Sequence, residues 1–351
     1  MSQIISESIP LRDSDDAGLR PRHSPPFPNG WFAACFSKEL EPGARRIVSF
    51  MGQELVLYRT ASGLARAIEP YCPHLGAHLG HDSTVDGEHL VCPFHHFRYG
   101  PDGYCASHGP QTGARRIRLH TREAYERNGL LYVWHDDEGR PPIWELPQLD
   151  LADHSPPRET LLTVRGHVQD FTENHVDLAH TTCIHGLGNP CLVPPPCFDR
   201  HRMTVDLTAT WRKLPFTMHL DTHGLGYTHL TSELPSLGVT ITALVASTPV
   251  SSETWALRHV QRLRIPAFTR LPSPLRNLLY APLTLYIDHW LRSQLSLDIR
   301  IWNHRRYNEH PRLTPEDGPI LPFRRWSAQF YPRQRTWTHQ ATEMTAPIPG
   351  H

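Results

Sequence analysis

Residues 72–78 read CPHLGAH, and residues 92–100 read CPFHHFRYG. Each stretch sets a cysteine just ahead of a histidine: Cys72 with His74, and Cys92 with His95 or His96. Two thiolates and two imidazoles can hold zinc or an iron–sulfur cluster. Zinc fingers usually pair like with like, two cysteines and then two histidines. Here each segment supplies one of each. That suits a [2Fe–2S] cluster in which two Cys bind one iron and two His bind the other. A zinc-stabilised binding module is the competing reading of the same donors.

A second cluster of chemistry-bearing residues lies in QDFTENHVDLAHTTCIHG. On one continuous helix, Asp170, Glu173, Asp177 and His180 would share a face. A solvated stripe would look the same. His185 follows His180 by five residues, about 140° round an ideal helix, so the two rings diverge unless the helix ends between them. Gly186 and Gly188 follow at once. Two imidazoles and one carboxylate on one side of a metal, with open positions opposite, form the non-haem Fe(II) oxygenase arrangement.

The first pattern resembles the Rieske family, C-x-H and then C-x2-H, which assigns Cys72, His74, Cys92 and His95 and leaves His96 as a neighbour. Ala77 and Phe94 stand where the cytochrome bc-type Rieske proteins carry an extra disulfide, so the resemblance is to the oxygenase and ferredoxin branch. The second pattern resembles the Rieske oxygenase signature E-N-x-x-D-x-x-H-x4-H, here Glu173, Asn174, Asp177, His180 and His185. In that family the third iron ligand is an aspartate in a C-terminal helix, and Asp298 in SQLSLDIRIWN matches its context. The residues alone do not separate Asp298 from Asp288 or Glu316. The resemblance also implies that Asp177 links a cluster histidine of one subunit to an iron histidine of the next.

It further implies an α+β chain: an N-terminal all-β Rieske domain, then a helix-grip (START-like) catalytic domain whose antiparallel sheet wraps a long helix around an apolar pocket. The implied cofactors are a [2Fe–2S] Rieske cluster and mononuclear Fe(II). The implied assembly is a homotrimer. The implied activity is that of a terminal monooxygenase using O2. NGLLYVWHDDEGRPP and EDGPILPFRRWSAQFY resemble the oxygenase component of 3-ketosteroid 9α-hydroxylases and the related cholesterol 7-desaturases. CPFHHFRYG and DIRIWN resemble aminopyrrolnitrin oxygenase. The expected substrate is therefore small, bulky and apolar, with steroids leading. Arylamine N-oxygenation, desaturation and oxidative tailoring of a natural product are the alternatives within the class. A Rieske electron carrier without catalysis is the alternative outside it.

These groups need elements to position them. Residues 1–30 are polar and rich in Pro, Arg and Ser, and read as a flexible leader. From Trp31, RRIVSFMGQELVLYRT, LARAIEPYC and GLLYVWHDDEG read as short strands between Gly-containing turns, so residues 31–140 form a small β domain with the Cys/His pairs on loops. Residues 141–157 are a proline-punctuated linker. Residues 158–351 form the second domain: DFTENHVDLAHTT has helical spacing, RMTVDLTATW, LGVTITALVAST and TWALRHVQRLRI read as strands, and LRNLLYAPLTLYIDHWLRSQLSLDIRIWN reads as one or two helices.

The 351 residues exceed what one core usually serves, so two domains are expected. Lys+Arg and Asp+Glu both number 35, which removes long-range steering toward nucleic acid or an anionic membrane. Seven scattered cysteines do not make a secreted disulfide framework, and no signal peptide is readable, so a cytoplasmic protein is expected. The longest apolar stretch, Leu278–Leu291, is interrupted by Pro282, Asp288 and His289, and is too short to span a membrane. There is no G-x-G-x-x-G dinucleotide fingerprint and no plant-type ferredoxin cysteine run. Electrons must therefore come from a separate ferredoxin or flavin-dependent reductase.

Overall fold

The computed structural model describes residues 25–106 and 117–332. The N-terminal part is built of short antiparallel strands. In chain order they are β1 (Gly30–Phe36), β2 (Arg45–Phe50), β3 (Gln53–Arg59), β4 (Ala65–Ile68), β5 (Thr84–Asp86), β6 (His89–Val91), β7 (Arg98–Tyr99), β8 (Thr121–Arg122), β9 (Ala124–Arg127) and β10 (Leu130–His135). They pair as β1-β10-β9, β2-β3-β4-β8 and β5-β6-β7. The apolar residues of β3 are buried, and Phe32, Leu55, Leu57, Leu131 and Val133 close a core between the first two sheets. The small third sheet serves another purpose: its ends carry the cysteine loops.

The C-terminal part opens with β11 (Arg158–Arg165), α1 (Val168–Glu173) and α2 (Leu178–Cys183). It continues through β12 (Gly188–Leu192), β13 (Cys197–Asp199), β14 (Arg202–Trp211), β15 (Leu214–His223), β16 (Tyr227–Leu234), β17 (Val239–Pro249) and β18 (Thr254–Arg264). It closes with α3 (Ser273–Trp302) and α4 (Ile320–Ser327). The strands form one antiparallel sheet in the order β11-β18-β17-β16-β15-β14-β12, with β13 beside β14. β15 and β16 were not among the strands read from the sequence; their Thr and His content hides the alternation. The reading of one or two C-terminal helices resolves to one, and Pro282 lies inside it.

β17 is buried on both faces, which is why its sequence is a continuous apolar run. Ile241, Ala243 and Val245 face α3. Leu244 and Ala246 pack against Trp31, Ala33 and Phe36 of β1. Buried Arg258 on β18 fastens that contact, donating to the carbonyls of Ala33 (2.9 Å) and Ala34 (2.6 Å). Thr248 Oγ1 adds a third bond, also to the Ala33 carbonyl. β1 thus belongs to one sheet and closes against another.

Two sequence expectations change. Residues 25–30 are not leader. Phe27 packs on the N-terminal core, the Asn29 N–H donates to the Phe330 carbonyl, and β1 begins at Gly30. The rest of the expected leader lies outside the described residues. Second, the helical stretch after Val168 is two short helices, not one. α1 stops at Glu173, and Asp177 takes extended φ/ψ as the N-cap of α2. Asp170, Glu173, Asp177 and His180 therefore do not form a single stripe. A carboxylate that caps a new helix competes with continuing the old one.

Candidate metal centres

The two cysteine loops fold into the same turn. In one, the Cys72 N–H donates to the Ala77 carbonyl and the Gly76 N–H to the Cys72 carbonyl; in the other, the Cys92 N–H donates to Phe97 and the His96 N–H to Cys92. Gly76 and His96 are equivalent, and both take left-handed φ, +76° and +57°. That is the reason glycine suits this place, and why His96 is spent on the turn. Its ring is exposed.

The turns bring the four expected donors together. Cys72 and Cys92 are buried and free of disulfides, and burial raises the Cys92 thiol pKa. The His74 and His95 rings lie 4.7 Å apart. His74 Nδ1 is buried without a hydrogen-bond partner among the described residues, as a metal-ligand atom would be. Tyr99 Oη, which the sequence reading did not single out, sits 3.0 Å from Cys72 Sγ. The donor set fits a mixed Cys/His cluster.

At the second site α2 ends as required. Its C-cap is Ile184, and Gly186 turns with φ +65°. This swings His185 back toward His180, with the two Nε2 atoms 3.0 Å apart. Asp298, from the last turns of α3, points at both: Oδ1 is 3.3 Å from His180 Nε2 and Oδ2 is 3.5 Å from His185 Nε2. Two nitrogens at about 2.1 Å from one ion, at a right angle, would stand about 3.0 Å apart.

Electrostatics at this site agree. Burial pushes Asp298 up to about 7 and His180 down to about 4, and lowers His185. Each group resists charge there without a cation between them. Asp298 Oδ1 is buried without a hydrogen-bond donor among the described residues. The residues fit a 2-His-1-carboxylate metal. The Gln294 amide oxygen accepts from His185 Nδ1–H at 3.3 Å, which turns Nε2 inward. Gln294 is one helical turn before Asp298, so helical spacing alone could have found it.

Asp177 does not join the three. Its Oδ1 accepts from the His180 N–H at 2.8 Å, so it grips the backbone of a candidate ligand. Glu173 points elsewhere as well. It is buried between Arg305 (2.6 Å) and Arg324 (2.7 Å), an ion cluster that holds α1 against the end of α3 and α4.

The triad floors a cavity with an empty volume of about 1410 Å³, counting its open mouth. Its walls are overwhelmingly apolar: Phe171, Leu207, Trp211, Met218, Leu230, Ile241, Trp290 and Leu295 among them. Asn174, His175, Thr181, Ser232, Tyr286 and Gln294 supply the polar groups beyond the triad.

Twin cysteine–histidine turns on a β domain, joined to a sheet-and-helix domain with a buried His/His/Asp set, define a two-centre redox protein. The profile of the Rieske [2Fe-2S] domain matches residues 30–122, and that of the 3-ketosteroid 9alpha-hydroxylase C-terminal domain matches residues 133–331. The chain belongs to the Rieske oxygenases that carry this C-terminal domain. It is an O2-dependent oxidoreductase whose cofactors are a [2Fe–2S] cluster and a mononuclear iron. It is 31% identical to a cholesterol 7-desaturase of Bombyx mori, over 88% of this chain and 70% of that one. It is 27% identical to the oxygenase component of a 3-ketosteroid-9-alpha-monooxygenase of Rhodococcus rhodochrous, over 93% and 89%. The fold matches dicamba monooxygenase with a TM-score of 0.65 at 15% identity, over 86% of this chain and 96% of that one. No helix among the described residues is long and apolar enough to cross a membrane.

Proposed function

We propose that this chain is the terminal oxygenase for a steroid-like substrate, with iron held by His180, His185 and Asp298 and the cluster by Cys72, His74, Cys92 and His95. The observation that carries the reading is the convergence of the three iron donors at the floor of an apolar cavity. When bound, the cluster supplies single electrons and the iron supplies O2 activation. The chain's residues do the rest. Gln294 fixes the His185 tautomer, the apolar walls bind the substrate scaffold and exclude water, and Ser232 and His175 offer it hydrogen bonds.

Names of relatives support the substrate class: both the desaturases and the monooxygenases act on sterols or ketosteroids. Desaturation is the second reading, favoured by the Bombyx mori relative. We also propose a cluster domain that ends at residue 140, a linker over 141–157 and a catalytic domain over 158–351, together with a cytoplasmic homotrimer and a separate ferredoxin or flavin-dependent reductase. Within the trimer Asp177 couples the cluster of one chain to the iron of its neighbour. Its grip on the His180 backbone supports that role.

The test is turnover of a 3-ketosteroid, cholesterol and an arylamine with a surrogate ferredoxin–reductase pair. A hydroxylated or newly unsaturated steroid is expected, and product analysis separates the two. Turnover of the arylamine alone would remove the steroid reading. His180→Ala should lose about one iron per chain, since a facial triad has no spare protein ligand, and should keep the visible spectrum of the cluster. An unchanged iron count would overturn the assignment.

A further inference from the structure

The first half of α3 is apolar on its outer face as well as its inner one. Toward the protein it turns Tyr280 and Thr284, both buried. Tyr280 Oη accepts from the Ile265 N–H, and Thr284 meets Arg158 and Gln261 through hydrogen bonds of 3.4 Å each. Toward solvent it turns Leu278 (69% exposed), Leu285 (54%) and Tyr286 (62%), along with Leu275 and Leu283. An ordinary surface helix keeps its outer face polar. A contiguous exposed apolar face of this kind marks an interaction site.

Its surroundings narrow the partner. From Ile265 to Ile287 there are two arginines, Arg270 and Arg276, and no Asp or Glu. Beside it, Trp211 and Trp290 lie 6.0 Å apart at the cavity wall, and exposed Arg212 and Lys213 flank Trp211. Leucine, aromatic and cationic side chains without acids are the composition of a helix lying in a lipid interface. Tyr286 both lines the cavity and is exposed, so the apolar face runs directly into the cavity mouth. An apolar guest entering there from lipid need not cross water.

We propose that the Ser273–Tyr286 half of α3 docks the enzyme on an anionic lipid surface, with the cavity mouth facing the bilayer. The segment covers about 21 Å of helix, enough to lie along the interface and too short to span. The zero net charge of the chain does not oppose this, because the cations are local to the patch. The proposal goes beyond the catalytic reading and is tested without turnover.

The experiment is co-sedimentation of the full-length holoenzyme with phosphatidylcholine vesicles, with and without phosphatidylglycerol. Association is expected, stronger with phosphatidylglycerol and weakened by salt. Leu278→Glu with Leu285→Glu should lower the partition coefficient about tenfold or more. Neither residue lines the cavity. Ile143→Glu, at a residue 81% exposed outside α3, should leave it unchanged. The visible spectrum of the cluster checks folding, and Leu278→Ser with Leu285→Ser is the milder pair. No vesicle association, or equal association of the double variant, overturns the proposal. So does a double variant that changes oligomeric state in light scattering, since the face would then be covered by a second copy. Loss of binding to an electron-donor protein with vesicle binding intact overturns it too.

Discussion

Cys72 and Cys92 open turns with the same hydrogen bonds, and the details of those turns set what each nearby side chain can do. Tyr99 Oη reaches Cys72 Sγ, and a donor to a cluster sulfur stabilises the more negative reduced state. Tyr99→Phe should therefore keep the cluster and lower its midpoint potential, read by potentiometric titration; an unchanged potential would detach Tyr99 from the cluster. Asp177 carries two roles that can be separated. Asparagine caps a helix as well as aspartate, whereas alanine costs about 1 kcal/mol. Asp177→Asn should keep both metals and the melting temperature and lose turnover, while Asp177→Ala should lose stability as well. Iron loss in Asp177→Asn equal to that in His180→Ala would make Asp177 a ligand.

At the scale of elements, the second site depends on three helix ends. α1 stops early, α2 stops between the two histidines, and α3 runs on to carry Asp298 beneath both. Gly318 holds the junction between α1 and α2. It has φ +80°, and a Cβ there would lie 2.3 Å from the Val176 carbonyl, one residue before the Asp177 cap. Gly318→Ala must displace that backbone, since both the strain and the clash fall on main chain. It should lower iron occupancy although it touches no ligand. Metal analysis with retained cluster absorbance is the check, and full occupancy would show that the junction is slack.

At the scale of the whole molecule, β1 ties the two parts through Arg258 and the apolar residues of β17. Histidines are buried around that body. His259 on β18 and His167 at the start of α1 are both held near 4 by burial, His167 with Nδ1 accepting from the Gln169 N–H. Above pH 6.5 both are neutral folded or unfolded, and stability is at its full value. As the pH falls from 6.5 toward 4, the unfolded chain takes up protons that the native state refuses. Stability is then lost, by up to on the order of 3 kcal/mol per histidine. Denaturant melts at pH 7 and pH 5 should show the drop, and His167→Asn should make it shallower. An equal slope in that variant would remove His167 from the account.

The convergence of the four proposed cluster donors was legible because the two turns are local: spacing within each loop decides which side chains share a side. His180 and His185 were legible for the same reason once a helix end was placed between them. Asp298 was named through resemblance, since only the packing of α3 against α2 tells it apart from Asp288 and Glu316. The break after Glu173 escaped the sequence because helical periodicity survives across a short interruption, and the cap that makes it is a tertiary choice. Tyr99 and the ion cluster of Glu173, Arg305 and Arg324 depend on contacts between distant segments, whereas Gln294 lay within reach of helical spacing once Asp298 was placed. The apolar outer face of α3 depends on such contacts too. The sequence marks Leu278–Leu291 as apolar, but which side of a helix meets the protein is decided by what the sheet beneath it offers. Here Arg158 meets the Thr284 hydroxyl, Gln261 meets its carbonyl and Tyr280 packs on Ile241 and Leu263, which leaves the leucines outside.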